Sequence, residues 1–194
     1  MPIRSVCVYC ASSIRADPGY LQAAERLGRI LARNSLAVVY GGGGVGSMGR
    51  LADGALAEGG TVIGIIPRFM KELEWFHEGV PELVLVDDLH DRKRALLDRA
   101  DAVVALPGGS GTLDELLEAI SLKRLGVFLG PIVMINTRGF FDPCIELLER
   151  CISERFMDRR HRSMWQVVDE PDQVMAALEA APKWSSDAIG FAAI

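Results

Sequence analysis

The sequence from Ala102 to Glu115 reads AVVALPGGSGTLDE, and this stretch decides the fold. Its first five residues form a short, continuous apolar run, as expected for a strand buried on both faces of a parallel sheet. After the glycines, apolar residues recur at intervals typical of one face of an amphipathic helix: Leu113, Leu116, Leu117 and Ile120. The stretch therefore predicts a strand, a glycine-rich turn and a helix.

The turn has the composition of an anion-binding loop. Gly108, Gly109 and Gly111 lack a Cβ, so their backbone N–H groups can approach an anion closely. The positive end of the helix dipole favours phosphate there, and Thr112 is expected to cap the helix and to offer its hydroxyl. Glu115 is expected in the first helical turn, where it either complements the dipole or faces what the loop holds. A plain connection without a ligand is the alternative interpretation.

The length and composition of the chain indicate one domain. A chain of 194 residues, 49% of them hydrophobic, can bury one sizeable core. Strand-like runs alternate with helical patterns throughout, which predicts an α/β fold with a Rossmann-like, doubly wound, mostly parallel sheet and helices on both faces. We expect a single domain over residues 1–194, with a mobile tail over 185–194 because that stretch shows little periodicity.

Charge and hydropathy exclude several function classes. The net charge of −5 and the pI near 5.3 argue against nucleic-acid binding, which usually needs a basic face. No apolar run approaches the length of a membrane span, and the first residues lead directly into a strand-like segment. We therefore expect a cytoplasmic protein that binds no membrane.

The cysteines and histidines do not predict a metal centre. Cys7 and Cys10 form a CxxC, but it lies at the end of a strand and no second CxxC follows, so buried or loop thiols are expected. Cys144 and Cys151 lie seven apart on an expected helix and are interpreted as packing residues. The three histidines lack the spacing of metal ligands.

Two further turns are expected beside the glycine loop. The first strand, Ser5 to Tyr9, ends in a polar turn with the hydroxyls of Ser12 and Ser13, and open parallel sheets bind ligands at the carboxyl ends of their strands. The second strand, Leu36 to Tyr40, is followed by Gly41 to Gly44 and then by Val45 and Gly46. For both turns a purely structural role is the alternative interpretation.

The second glycine turn contains G-x-G-x-x-G but does not indicate NAD binding. It follows the second strand, and the third strand, Val62 to Ile66, ends in Pro67-Arg68 without an acidic residue for a ribose. Neither glycine run ends in Gly-Lys-Ser or Gly-Lys-Thr, which excludes a P-loop NTPase.

Two spaced motifs resemble a known family. The run from Pro107 to Glu115 fits PGGxGTxxE, the signature of the LONELY GUY (LOG) proteins, which are cytokinin riboside 5′-monophosphate phosphoribohydrolases often labelled lysine decarboxylases. The run from Leu89 to Lys93 resembles their second motif, MHxRK, with leucine in place of methionine. The turn from Tyr40 to Gly49 fits the family pattern YGGGxxGxMG, and the resemblance extends from Val6 to about Phe141.

The resemblance implies an activity and a set of site residues. It implies hydrolysis of the N-glycosidic bond of adenine-type (cytokinin) nucleoside 5′-monophosphates to free base and ribose 5-phosphate, with no cofactor and no metal. Arg92 and Glu115 would be the catalytic residues. Glu74 stands 18 residues before Arg92, the separation of a substrate-binding glutamate in the family. The full set of substrate-binding residues would be Ser12, Ser13, Gly43, Glu74, Lys93, Gly108, Gly109, Ser110, Gly111, Thr112, Leu113, Asp114 and Ser121.

The clearest departure from the family lies beyond the glycine loop. Residues Ser121 to Gly126 replace the Thr-Trp-Ala-Gln-Leu-Gly of plant-type members, so Leu122 stands for a large aromatic and Lys123-Arg124 add charge. This difference bears on base specificity and on the subunit contact. The resemblance implies a homodimer or higher homo-oligomer in which one subunit completes the site of the other. Two alternatives stay open: a general purine or pyrimidine nucleoside monophosphate nucleosidase in salvage, and a non-catalytic nucleotide or cofactor carrier.

Overall fold

The computed structural model describes residues 2–73 and 75–192, and its described strands form one seven-stranded parallel sheet. The strands are β1 Ser5–Tyr9, β2 Ala37–Tyr40, β3 Val62–Pro67, β4 Glu82–Val86, β5 Ala102–Ala105, β6 Ile132–Ile135 and β7 Gln166–Val168. Their spatial order is β4-β3-β2-β1-β5-β6-β7, and all six pairings are parallel. The predicted doubly wound α/β fold is confirmed.

Helices cover both faces of this sheet. They are α1 Pro18–Arg33, α2 Gly46–Ala57, α3 Arg68–Glu72, α4 Leu89–Asp98, α5 Ser110–Arg124, α6 Asp142–Ser153 and α7 Val174–Ala180. Four 3₁₀ helices lie between or after them in the described residues, over Thr137–Gly139, Arg159–Met164, Pro171–Gln173 and Ser186–Phe191. No helix of the described residues combines the length and the apolar character that crossing a membrane requires.

The central strand β1 separates two hydrophobic cores. Val6, Val8 and Cys10 pack in one core with residues of α1, α2 and α7. Cys7 and Tyr9 pack in the other core with residues of α4, α5 and α6. Successive side chains of a strand point to opposite faces, so a strand buried on both faces reads as a continuous apolar run.

Most predicted elements are present, and the exceptions are short. Strand β1 has the predicted bounds, and α1 begins at Pro18 with Asp17 accepting a hydrogen bond from the N–H of Gly19 at 2.8 Å, as an N-cap does. The five-residue helix α3 and the three-residue edge strand β7 were not predicted. Segments this short carry too few residues for a periodic pattern.

The C-terminal tail packs on the end of α5. Residues Ser186–Phe191 form a 3₁₀ helix with Ala188 buried, and the indole Nε1 of Trp184 donates to the carbonyl oxygen of Lys123 at 2.7 Å. Sequence periodicity gave no sign of this conformation, because contacts with distant residues stabilise it. Residues 193 and 194 lie outside the described residues. The mobility expected for the tail stays a prediction.

Candidate active site

Three polar or glycine-rich turns meet at the carboxyl edge of the sheet, as the sequence predicts. Strand β1 lies between β2 and β5, so the turns that follow these three strands are neighbours. The helices that follow β1 and β2 pack on one face of the sheet, whereas the helix that follows β5 packs on the other face. A change of direction at this point opens a crevice, which is where doubly wound sheets bind ligands.

The turn after β5 leaves the start of α5 open. Gly109 is the N-cap residue, with φ −86° and ψ −160°, and no side chain caps the helix. A Cβ built on Gly109 or on Gly111 would meet no atom within 4 Å, so the space above these residues is free. A Cβ on Gly108 would instead lie 2.1 Å from the Thr112 hydroxyl. The arrangement is a helix N-terminus with free access, suited to an anion.

Two expectations about this helix are wrong. Thr112 does not cap α5, because the helix begins two residues earlier at Ser110; its side chain is buried against Gly108 instead. Glu115 does not lie in the first turn but in the second, where its side chain is only 8% exposed. Its position therefore complements the dipole less than expected and brings it into the crevice.

Arg92 and Glu115 form a buried ion pair. The Nη1 of Arg92 lies 3.3 Å from the Oε1 of Glu115. The same guanidinium donates from Nε to the carbonyl oxygen of Ile65 at 3.0 Å and from Nη2 to that of Gly41 at 2.9 Å. These bonds hold Arg92 across the ends of β2 and β3. A Cβ on Gly41 would lie 1.9 Å from Nη2, so this contact requires a glycine.

The environment of Glu115 changes its acidity. Burial raises the pKa of Glu115, the Arg92 charge opposes that rise, and the neighbouring carboxylates of Asp114 and Glu118 add to it. A carboxylate with a raised pKa is a stronger proton acceptor, and Arg92 keeps a negative charge in place. The pair therefore combines the orientation and the basicity that a catalytic carboxylate needs.

Lys93 faces carboxylates of α5. Its Nζ lies 3.0 Å from Oδ2 of Asp114 and 2.8 Å from Oε2 of Glu118, and these partners, Glu118 first, raise the pKa of Lys93. Arg92 and Lys93 thus tie α4 to three acidic residues of α5, Asp114, Glu115 and Glu118. Glu118 was missed in the sequence, although its position three residues after Glu115 places both on adjacent parts of one helical face.

The second glycine turn is joined to a loop that follows α3. Gly43 and Phe76 form an antiparallel bridge, the N–H of Gly44 donates to the carbonyl oxygen of Trp75 at 3.1 Å, and that of His77 donates to Gly42 at 2.9 Å. Between this loop and Ser12 lies a cavity of about 560 Å³, lined by Ser12, Gly44, Val45 and the five residues 75–79. The predicted substrate-binding Glu74 lies outside the described residues.

The predicted serines divide into two groups. Ser12, Ser13 and Ser110 are exposed at the carboxyl edge of the sheet, beside the crevice. Ser121 lies on α5 eleven residues after Ser110, about 16 Å along the helix axis, and its hydroxyl donates to the carbonyl oxygen of Leu117 at 2.8 Å. The fold of one chain does not bring Ser121 to the glycine turn.

The expectations for both pairs of cysteines are confirmed. Cys7 and Cys10 are buried free thiols, and burial raises the pKa of both. Cys144 and Cys151 are half-buried on α6 and pack against the second core. Among the residues that the structure describes, no group of three or more His, Cys, Asp or Glu side chains is placed to hold a metal ion.

Comparison with known proteins decides the family. A family model described as "Possible lysine decarboxylase" matches residues 48–178. The cytokinin riboside 5′-monophosphate phosphoribohydrolase of Rhodococcoides fascians is 38% identical over 178 residues, which cover 91% of this chain and 90% of that protein. The chain belongs to the LONELY GUY family. The family member LOG7 of Arabidopsis thaliana is 36% identical over 91% of this chain and 81% of its own length.

Solved structures of the same fold include proteins with another role. A molybdenum cofactor carrier protein of Chlamydomonas reinhardtii superposes with a TM-score of 0.71 at 20% identity, covering 92% of this chain and 97% of that one. A molybdenum cofactor binding protein of Rippkaea orientalis gives 0.68 at 20% identity, covering 93% and 98%. At 20% identity, the likeness of these two proteins to this chain shows a shared fold and nothing about function.

Proposed function

We propose that this LOG protein hydrolyses the N-glycosidic bond of adenine-type (cytokinin) nucleoside 5′-monophosphates and releases free base and ribose 5-phosphate. The observation that carries the proposal is the buried Arg92–Glu115 pair, which lies one helical turn beyond the open start of α5. An anion site and a catalytic carboxylate on one helix suit a substrate whose phosphate is attached to the sugar under attack. The names of the relatives support the same reaction.

The phosphate supplies binding energy at a distance from the reacting bond. In the proposed complex the backbone of Gly108 to Gly111 and the start of the α5 helix hold the phosphate, with Ser110 and Thr112 beside it. Ser12, Ser13 and Gly43, in the turns after β1 and β2, complete the proposed binding site. Energy from these contacts positions the sugar, so that the anomeric carbon lies against Glu115.

The chemistry then rests on Glu115. As the glycosidic bond breaks, positive charge develops on the anomeric carbon, as in other glycosyl cleavages. The ionised carboxylate stabilises that charge or takes a proton from the attacking water. Arg92 orients the carboxylate and the sugar, and because a guanidinium stays charged it does not protonate the leaving base. Lys93 holds Asp114 and Glu118 in place on the adjacent turn.

The variant Glu115→Gln tests this proposal. Glutamine keeps the shape of the side chain but removes its charge and basicity, so we expect turnover to fall about 1,000-fold while the nucleotide still binds. Released base and ribose 5-phosphate are measured with AMP and with isopentenyladenosine monophosphate. Glu149→Gln, on the distant helix α6, is the matched control and keeps wild-type activity.

The outcomes separate the proposal from its alternatives. Turnover near the wild-type value in Glu115→Gln would remove the catalytic role of this carboxylate. A wild-type protein that binds both nucleotides without releasing product would be a non-catalytic carrier. The ratio of the two rates distinguishes cytokinin activation from general salvage.

We further propose a homo-oligomer, at least a dimer, in which Ser121 contributes to the site of a second subunit. In one chain Ser121 is exposed and distant from the glycine turn. It is accompanied on the same part of the surface by exposed apolar side chains, namely Leu117, Leu125 and Val127. Sedimentation velocity measures the oligomer, and a fully active monomer would contradict it. We also propose that the protein binds no nucleic acid, which a filter-binding assay tests. We expect it in the cytoplasm, which cell fractionation tests.

A further inference from the structure

The C-terminal tail covers a buried histidine. His161 lies in the 3₁₀ helix Arg159–Met164, and 0% of its surface is exposed. Two rings of the tail lie on its imidazole, with the ring centres of Phe191 and Trp184 at 5.4 and 6.4 Å from that of His161. The proposed reaction makes no use of this imidazole, so its position under the tail needs a separate explanation.

The contacts of the imidazole suit its neutral form. The backbone N–H of Asp158 donates to Nδ1 of His161 at 3.0 Å, so Nδ1 is an acceptor and the ring proton lies on Nε2. Nε2 is buried and has no hydrogen-bond partner among the residues that the structure describes. A second proton would put an N–H on Nδ1 against the N–H of Asp158, and it would create a buried charge with an unpaired donor. The protonated ring therefore fits this position poorly.

The surrounding charges also oppose a second proton. Burial is the largest effect that lowers the pKa of His161, and Arg124 of α5 comes next. Asp158 raises this pKa, but its carboxylate already accepts from Nε and Nη2 of Arg160 at 2.7 and 2.9 Å. Further charged groups on α5, α6 and the tail have partners of their own: Lys123 with the carbonyl oxygen of Gly130, Glu149 with Arg162, and Asp187 with the hydroxyl of Ser185.

The tail is the part of this cover that is easiest to move. The Cζ of Arg160 lies 3.8 Å from the centre of the Phe191 ring, and Nε of Arg124 donates to the carbonyl oxygen of Ala192 at 3.1 Å. Within the tail's short 3₁₀ helix only Ala188 is buried. Because the tail buries little apolar surface, its detachment costs less free energy than opening either core.

We propose that His161 makes the tail a pH-sensitive latch: the neutral imidazole keeps Trp184 and Phe191 packed on the end of α5, and protonation releases them. Because the pKa of His161 is lowered in the latched form, the released form binds more protons. The latch is therefore closed above the usual histidine pKa of about 6.5 and opens as the pH falls below it. Release uncovers Lys123 and the chain at Gly126. This inference is independent of the proposed function.

Tryptophan fluorescence between pH 8 and pH 5 tests the latch. The wild-type emission is expected to shift to longer wavelength below about pH 6.5, because the indole of Trp184 enters water, while the far-UV circular dichroism stays constant. Trp184→Phe is expected to remove this shift, which assigns it to the tail. His161→Phe keeps a ring that takes no proton, so this variant is expected to stay latched at pH 5.

A control and a second measurement complete the test. His90→Gln changes an exposed histidine of α4 and is expected to leave the transition unchanged. An NMR titration of the His161 imidazole in the wild-type protein is expected to give the same midpoint as the emission, and it decides the question if His161→Phe does not fold. The latch would be overturned by a ring that titrates under a packed tail, by a wild-type transition in His161→Phe, by a shift that coincides with global unfolding, or by a wild-type emission that stays constant down to pH 5.

Discussion

The two ends of α5 both carry a buried charge, but they are built in opposite ways. At the N-terminal end Glu115 has the counter-charge of Arg92 at 3.3 Å, and the first turn is open and uncapped. At the C-terminal end Lys123 is 1% exposed, and in the described parts of the chain no carboxylate lies within ion-pair distance of it. Its Nζ donates to the carbonyl oxygen of Gly130 and lies 5.9 Å from the centre of the Trp184 ring.

The C-terminal end is closed by aromatic residues of the tail. The rings of His161, Trp184 and Phe191 lie within 5.4 to 6.4 Å of one another, centroid to centroid. A Cβ on Gly126 would lie 2.6 Å from the carbonyl oxygen of Ser186, so the tail lies directly on the chain after α5. Burial lowers the pKa of Lys123 to about 8. We therefore infer that the paired charge of Glu115 beside open space serves the proposed chemistry, whereas the unpaired charge of Lys123 under the tail lowers the stability of the fold.

The largest effect is expected from breaking the charge pair. Arg92→Met leaves Glu115 buried without its partner, so we expect the free energy of unfolding at pH 7 to fall by about 3 kcal/mol and turnover to fall with it. The pKa of Glu115 then rises further. The folded protein binds a proton that the unfolded chain has released, so stability is retained below about pH 4.5 and decreases as the pH rises above it. Urea unfolding at several pH values measures this.

Two further variants sharpen that test. Adding Glu115→Gln to Arg92→Met removes the orphaned charge and is expected to restore most of the stability without the activity. Arg94→Met changes an exposed arginine of the same helix and is expected to leave both properties unchanged. If Arg92→Met were as stable as Arg94→Met from pH 5 to 8, the Arg92–Glu115 pair would not stabilise the fold.

An intermediate effect is expected from filling the open end of α5. Gly109→Ala fits the backbone, because φ is negative and a Cβ meets no atom within 4 Å, so stability should not change. The methyl group occupies the space proposed for phosphate, and the Kd for ribose 5-phosphate should rise about tenfold through loss of a hydrogen bond to a charged group. Gly190→Ala, equally unobstructed but in the tail, is the control. Unaltered binding in Gly109→Ala would place the phosphate elsewhere.

The smallest effect is expected at the closed end. Lys123→Met fills the same space without a charge but loses the hydrogen bond to Gly130, so we expect stability at pH 7 to rise by about 1 kcal/mol and activity to stay constant. Because the pKa of Lys123 is lowered, the wild-type protein should gain stability as the pH rises from about 8 to 10.5, and the variant should lose this dependence. Urea unfolding measures the change, with the exposed Lys183→Met as control. A destabilised variant would mean that the Lys123 charge itself supports the closed end.

The sequence predicted the parts of the site that depend on local pattern. The apolar run before Pro107 and the spacing of Leu113 and Leu116 indicated a strand, a turn and a helix, and the structure has all three. It did not predict where α5 begins, because Ser110, Gly111 and Thr112 are each acceptable in a first turn.

The sequence by itself determined the alternation of strands and helices, the glycine turns and the family, because these follow from side-chain periodicity and short motifs. Only the tertiary structure decided which charges meet. Arg92 and Glu115 are 23 residues apart, and their pairing depends on α4 and α5 packing on the same face of the sheet. The tertiary structure likewise decided that the end of α5 holds the tail. The indole of Trp184 donates to the backbone carbonyl oxygen of Lys123, and the guanidinium of Arg124 donates to that of Ala192. Contacts between residues distant in the chain depend on packing, which no local pattern records.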